Sequence, residues 1–149
     1  MAALRITDLV FLFPRQAVAC LDIPHLELTP GERVFLHGPS GSGKSSLLGL
    51  LGGVALPEHG SIELLGTDIT RLGGRARDHF RAEHIGFLFQ QFNLLPWLSA
   101  LDNVLLPCTF SPRRRERAGT APQVEAERML RHLDLDAELW RKPAGELSV

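Results

Sequence analysis

Two short runs of this chain carry consecutive apolar residues: Val34-Phe35-Leu36 within residues 33–37 (Arg33-Val34-Phe35-Leu36-His37), and residues 85–89 (Ile85-Gly86-Phe87-Leu88-Phe89). A brief continuous apolar run bounded by turn residues predicts a strand buried on both faces, as in a parallel sheet. Elsewhere the pattern is looser. Residues 4–13 are β-prone and partly alternating, which predicts an edge strand ended by Pro14-Arg15-Gln16. Residues 18–28 form a second extended stretch, closed by the turn Thr29-Pro30-Gly31-Glu32. Pro57-Glu58-His59-Gly60 is a turn into a further strand over residues 61–65, and Gly66-Thr67-Asp68 turns again.

Helical signals follow a different rhythm. Ser46-Leu47-Leu48-Gly49-Leu50-Leu51 reads as a helix that stops at Gly52-Gly53. Residues 75–84 are polar with few apolar anchors, which predicts a short exposed helix. Residues 99–106 predict another, with Asp102 near its start. Residues 122–133 predict a third, with Pro122 in its first turn and an imperfect stripe of Val124, Met129, Leu130 and Leu133. A turn and short helix over residues 134–142 then meet the break Pro143-Ala144-Gly145-Glu146. Between these lie an apolar loop, residues 92–98, and the basic run of residues 111–117, read as a solvated loop rather than a nucleic-acid patch. No internal repeat is visible.

Composition narrows the class. At 149 residues the chain is long enough for one domain with a core, and 44% hydrophobic and 22% charged residues are ordinary for a globular protein. A formal net charge of −1 argues against broad binding to nucleic acid or anionic membranes. No apolar run approaches the ~20 residues of a membrane span, and the N-terminus lacks a basic-then-apolar leader. Cys20 and Cys108 form no metal or redox spacing and read as small packed residues in a reducing cytosol. The six histidines are scattered and read as structural or surface residues.

The chemistry concentrates in Gly38-Pro39-Ser40-Gly41-Ser42-Gly43-Lys44-Ser45. This matches the phosphate-binding pattern Gly-x-x-x-x-Gly-Lys-Ser/Thr. The glycines let the backbone curl so that successive N–H groups face phosphate oxygens. Lys44 supplies a compact charge to the β- and γ-phosphates, and the Ser45 hydroxyl is suited to Mg²⁺. The following helix adds the positive end of its dipole. An apolar run before the loop and a helix after it are the setting the pattern requires.

Four landmarks in order resemble the ATP-binding domain of an ABC transporter: Pro30-Gly31-Glu32, the phosphate loop, Ile85-Gly86-Phe87-Leu88-Phe89-Gln90, and Gly145-Glu146-Leu147-Ser148-Val149. The last resembles the opening of a Leu-Ser-Gly-Gly-Gln signature. Val149 stands where that signature has glycine, and Ser46 where the family most often has threonine. Phe89-Gln90-Gln91-Phe92-Asn93-Leu94-Leu95-Pro96 and Asp102-Asn103-Val104 are similar to the lipoprotein-release and macrolide-export branch.

The resemblance implies an α/β P-loop NTPase fold. An antiparallel β region surrounds a partly parallel core sheet over residues 1–90, and a helical subdomain starts at residue 91. It implies ATP and Mg²⁺ as cofactors, held by residues 38–46, with Lys44 and Gln90 as the catalytic pair and Ser45 and Gln90 facing the metal. It gives Phe13 the place of the aromatic that stacks on adenine, with Phe11 as its rival. It places the surface of Phe92, Leu94, Leu95, Trp97 and Leu98 against a membrane-spanning permease subunit, and it implies a head-to-tail homodimer at the inner face of the cell membrane. The expected function is coupling of ATP binding and hydrolysis to transport. A non-transport ABC ATPase acting on DNA or ribosomes, and a nucleotide-binding module without hydrolysis, are the alternatives. The family's Walker B strand, catalytic glutamate, D-loop and switch histidine follow the signature. Residues 1–149 therefore read as the N-terminal part of a longer domain, one not expected to hydrolyse ATP alone.

Overall fold

The computed structural model describes residues 2–89 and 93–147. They divide into two compact units, Met1–Arg81 and Ala82–Val149.

The first unit is built on a four-stranded antiparallel sheet of order β2-β1-β3-β4. Its strands are β1 (Leu4–Phe11), β2 (Leu21–Leu28), β3 (His59–Leu64) and β4 (Thr67–Asp68). The partial alternation of the first two strands has a simple cause. In β1 the inward residues are Leu4, Ile6, Leu9 and Phe11; in β2 they are Leu21, Ile23, Leu26 and Leu28. Both strands skip one extra residue at the same level, where Thr7 pairs His25 and Leu9 pairs Ile23, so their apolar faces change phase together. Pro24, which has no N–H to donate, sits at this point of the edge strand. On the other side of β1 the pairing with β3 slips by one between Thr7 and Val10. There Asp8 adopts φ 46°, a β-bulge facing Gly60 at φ 86°. A Cβ at Gly60 would fall on the Asp8 carbonyl, which accounts for glycine at that position.

Helix α1 (Lys44–Leu51) packs Leu47 and Leu50 onto this sheet beside Leu4, Ile6, Leu9, Phe11, Ile62 and Ile69. Its end is closed by Gly53 at φ 64°, with Val54 N–H bonding back to Gly49 O at 2.9 Å, a left-handed helix stop. Helix α2 (Gly74–His84) brings arginines to the turn that closes α1: Arg77 Nε donates to Gly53 O at 3.1 Å, and Arg81 Nη1 also donates to Gly53 O, at 3.3 Å. Cations near a helix C-terminus satisfy its orphan acceptors and its dipole.

The second unit is helical: α3 (Ala100–Phe110), α4 (Pro112–Arg117) and α5 (Pro122–His132). Its core is Ala100, Leu101, Ala126, Leu130 and Trp140, and the Trp140 indole N–H donates to Leu135 O at 2.8 Å. The Arg131 guanidinium lies 5.4 Å over the Trp140 ring.

Several sequence expectations are corrected here. Residues 33–37 join no ladder, and Phe35 is 88% exposed. Residues 85–89 likewise form no strand, with Leu88 fully exposed. A parallel strand needs a neighbour for its N–H and C=O groups, and every strand pair among the described residues is antiparallel. The basic run is a helix, not a loop. Ser111, completely buried, accepts from Arg114 N–H at 3.0 Å as its N-cap, and Pro112 occupies the first turn. In α5 the buried face is Ala126 and Leu130, while Val124, Met129 and Leu133 are exposed. Residues 67–68 pair as a short strand, and residues 144–146 form a 3₁₀ turn.

Candidate functional site

The phosphate-loop residues are brought together at the start of α1. Gly41 and Gly43 take φ 81° and 85°, left-handed values that glycine adopts without strain. At Gly43 space also decides: a Cβ there would lie 2.7 Å from Leu21 Cδ2 and 3.3 Å from Cys20 O. Gly43 is the N-cap of α1 and, having no side chain, caps nothing. The first-turn amides, which no helix satisfies internally, are therefore left to an external acceptor. The helix begins at Lys44 rather than at Ser46 as the apolar run suggested.

Lys44 curls back over the loop. Its Nζ donates to Gly38 O at 2.7 Å, Pro39 O at 2.6 Å and Ser42 Oγ at 3.3 Å. The ammonium thus sits inside the curve of residues 38–43, beside a cavity of about 250 Å³ lined by Leu36, His37, Pro39, Ser42 and Leu47. Ser45 is exposed one residue on. Ser46 is half-buried, its Oγ 3.8 Å from Cys20 Sγ. Ser40 is exposed on the loop.

Phe13 and Phe11 are told apart by burial. Phe11 is in the core at 8% exposure, whereas Phe13, in edge contact with it at 5.2 Å, is 42% exposed and lines an open cavity with Arg15, Gln16 and His59. Gln90, Gln91 and Phe92 lie outside the described residues, as do Ser148 and Val149 of the signature-like end.

In the second unit, Trp97 is 71% exposed and Leu94 is also exposed, yet their loop is well held. Asn103 of α3 grips it: Leu95 N–H donates to Asn103 Oδ1 at 2.8 Å, and Asn103 Nδ2 donates to Leu95 O, Leu98 O and Ser99 O at 3.0–3.3 Å. Sequence reasoning assigned Asn103 no role. Its grip is a matter of contacts, and no pattern in the chain signals it. A larger cavity of about 300 Å³ lies between α3, α4 and α5, walled by Val104, Leu105, Pro107, Cys108 and Met129.

The architecture points one way, and the comparisons agree. A family model described as ABC transporter matches residues 21–149. The chain belongs to the ABC transporter family. Similar proteins include the lipoprotein-releasing system ATP-binding protein LolD of Pseudomonas fluorescens, 43% identical over 89% of this chain and 56% of that protein. The macrolide export ATP-binding/permease protein MacB 1 of Aeromonas hydrophila is 43% identical over 80% of this chain and 18% of that protein. Among solved structures, a dimeric ATP-binding cassette bound to ADP and Pi in a post-hydrolysis state superposes with a TM-score of 0.82 at 30% identity, covering 97% of this chain and 63% of that one. The chain spans about half the length of the LolD relatives it matches. These relatives lie in the lipoprotein-release and macrolide-export branch of the ABC family. No helix among the described residues is long and apolar enough to cross a membrane.

Proposed function

We propose that this chain is the nucleotide-binding part of an ABC transporter ATPase, in which ATP binding and hydrolysis drive a membrane-spanning partner. The observation that carries the reading is the placement of the Lys44 ammonium inside the curve of residues 38–43, at the uncapped N-terminus of α1. ATP would lay its β- and γ-phosphates along that N-terminus, with Lys44 exchanging its carbonyl partners for phosphate oxygens. Mg²⁺ would be held by the Ser45 hydroxyl together with Gln90, and Gly38, Pro39, Ser40, Gly41, Ser42, Gly43 and Ser46 would shape the cradle. Catalysis of phosphoryl transfer is then positioning and charge neutralisation, with Lys44 and Gln90 as the residues concerned. Phe13 offers the exposed ring for stacking on adenine, since Phe11 is committed to the core.

The partner surface is the loop of Leu94 and Trp97. Large apolar side chains held out from the surface favour a protein or membrane contact, and the name of the MacB relative joins an ATP-binding protein to a permease. Residues 1–90 would form the nucleotide-binding core and residues 91–149 the start of a helical subdomain. A head-to-tail homodimer at the cytoplasmic face of the membrane completes the reading, supported by the dimeric state of the similar cassette.

Calorimetric titration with ATP tests it. Binding should be Mg²⁺-dependent, and Ser45→Ala should remove most of the Mg²⁺ effect. Binding of ATP that is indifferent to chelation of Mg²⁺ and to loss of the Ser45 hydroxyl would overturn the metal assignment.

A further inference from the structure

An exposed apolar loop is useful to a partner only if it does not collapse onto its own domain or fray, and both are the default for a short turn of hydrophobic residues. The loop carrying Trp97 avoids both through an unusual set of contacts. Asn103 uses every polar atom of its amide on it. Oδ1 accepts from Leu95 N–H at 2.8 Å, and Nδ2 reaches Leu95 O at 3.1 Å, Leu98 O at 3.3 Å and Ser99 O at 3.0 Å. Asn103 is itself fixed in the first turn of α3, where Ser99 Oγ caps Asp102 N–H at 3.0 Å. The other side of the loop is tied to the strap before Leu147. Ala144 N–H donates to Leu98 O at 2.8 Å, and Gly145 N–H donates to Pro96 O at 3.0 Å. At Gly145 a side chain would be tight, because a Cβ would lie 3.1 Å from Pro96 Cβ and 3.2 Å from Pro96 O, and Pro96 would have to give by a few tenths of an ångström.

We propose that Asn103 is the positioning residue of the partner surface: it holds Trp97 outward and locks the loop to the strap at Ala144 and Gly145, so that a push on Trp97 is delivered to the strap. The proposal rests on the partner reading given above for its function, but its geometry does not. Asparagine suits the task because one planar amide both accepts from and donates to a turn's backbone. Aspartate has the same shape and still accepts from Leu95 N–H, but it would turn a carboxylate oxygen toward three carbonyls, so Asn103→Asp exchanges the three donated bonds for repulsion without removing volume.

Two measurements on the full-length protein test this. In hydrogen exchange, Asn103→Asp should speed the Leu95, Ala144 and Gly145 amides by roughly tenfold through local opening of the loosened loop, and leave the Leu130 amide unchanged. Gly145→Ala, which presses on Pro96 from the other side, should speed the Leu95 amide as well. It serves as the second variant if Asn103→Asp loosens the whole unit. A change at Leu95 alone in both variants overturns the lock. The second measurement is a double-mutant cycle on ATPase stimulation by the membrane subunit. Trp97→Ala and Asn103→Asp should each reduce stimulation, and the double variant should be no worse than the worse single, because both act through one contact. Multiplying effects would make Asn103 merely structural and overturn its positioning role. If Trp97→Ala leaves stimulation intact, the partner reading fails while the exchange result still judges the lock.

Discussion

Two loops of this molecule carry its proposed chemistry, and they are held in place by opposite means. The loop of residues 38–43 is shaped by its own backbone: two glycines in left-handed conformations and a lysine that folds onto the carbonyls it follows. The loop of residues 94–99 has no such instruction. It is shaped from outside, by the Asn103 amide and by backbone bonds from Ala144 and Gly145. The first kind of loop is legible as a motif because each residue's job is local. The second is legible only as a set of contacts, because the residues that hold it, Asn103 on the next helix and the more remote Ala144 and Gly145, lie outside the loop itself.

The comparison can be broken at the first loop with the largest effect. Lys44→Ala removes the ammonium proposed to face the β- and γ-phosphates, and ATP affinity should fall by about 100-fold, the scale of two charge-assisted hydrogen bonds. An unchanged dissociation constant by calorimetry would mean that the loop's shape, not its charge, binds the nucleotide.

Gly43→Ala attacks the shape instead. It forces a Cβ into φ 85° and toward Leu21 Cδ2 at 2.7 Å, so a loss of about 1–3 kcal/mol of stability is expected from backbone strain and overlap, with weakened ATP binding. Thermal melting and the same titration read both. The second loop's counterpart, Ser99→Ala, removes an N-cap hydrogen bond from α3 and should cost about 1 kcal/mol while leaving ATP affinity unchanged. A fall in affinity there would erase the independence of the two loops.

The smallest effect lies away from both. On the antiparallel sheet the Arg5 guanidinium bonds Glu27 at 3.1 Å and holds its carboxyl below the ordinary range. A depressed carboxylate stabilises above its unfolded pKa, and the contribution is lost as pH falls through the folded value. Because the pair is exposed and screened, Glu27→Gln should barely move the melting temperature at neutral pH. It should slightly flatten the stability decline in acid.

Legibility followed the same division elsewhere. The antiparallel strands are readable as strands because alternation is recorded in the chain, although the shared phase change at Thr7 and His25 makes it look imperfect; the expectation of an edge position for the first strand is corrected, since β1 is flanked by β2 and β3. Residues 33–37 and 85–89 were read as paired strands on apolarity alone. Apolarity marks a demand for burial and not the presence of a neighbour, and neither run has a ladder partner among the described residues. The basic run of residues 111–117 reads as a loop on its charges alone, whereas Ser111-Pro112 within it is a helix-start signal. In α5 the small residue Ala126, not the larger Met129, marks the buried face, since helix packing selects by direction before size.

The central claim is that ATP binds at the glycine loop and not in the larger apolar cavity of the helical unit. The most direct test is an ATP titration in the presence of Mg²⁺, followed by amide NMR. The account predicts that shifts concentrate at Gly41, Gly43, Lys44 and Ser45 and reach Phe13. Shifts centred on Val104, Cys108 and Met129, with the loop amides unmoved, would contradict it.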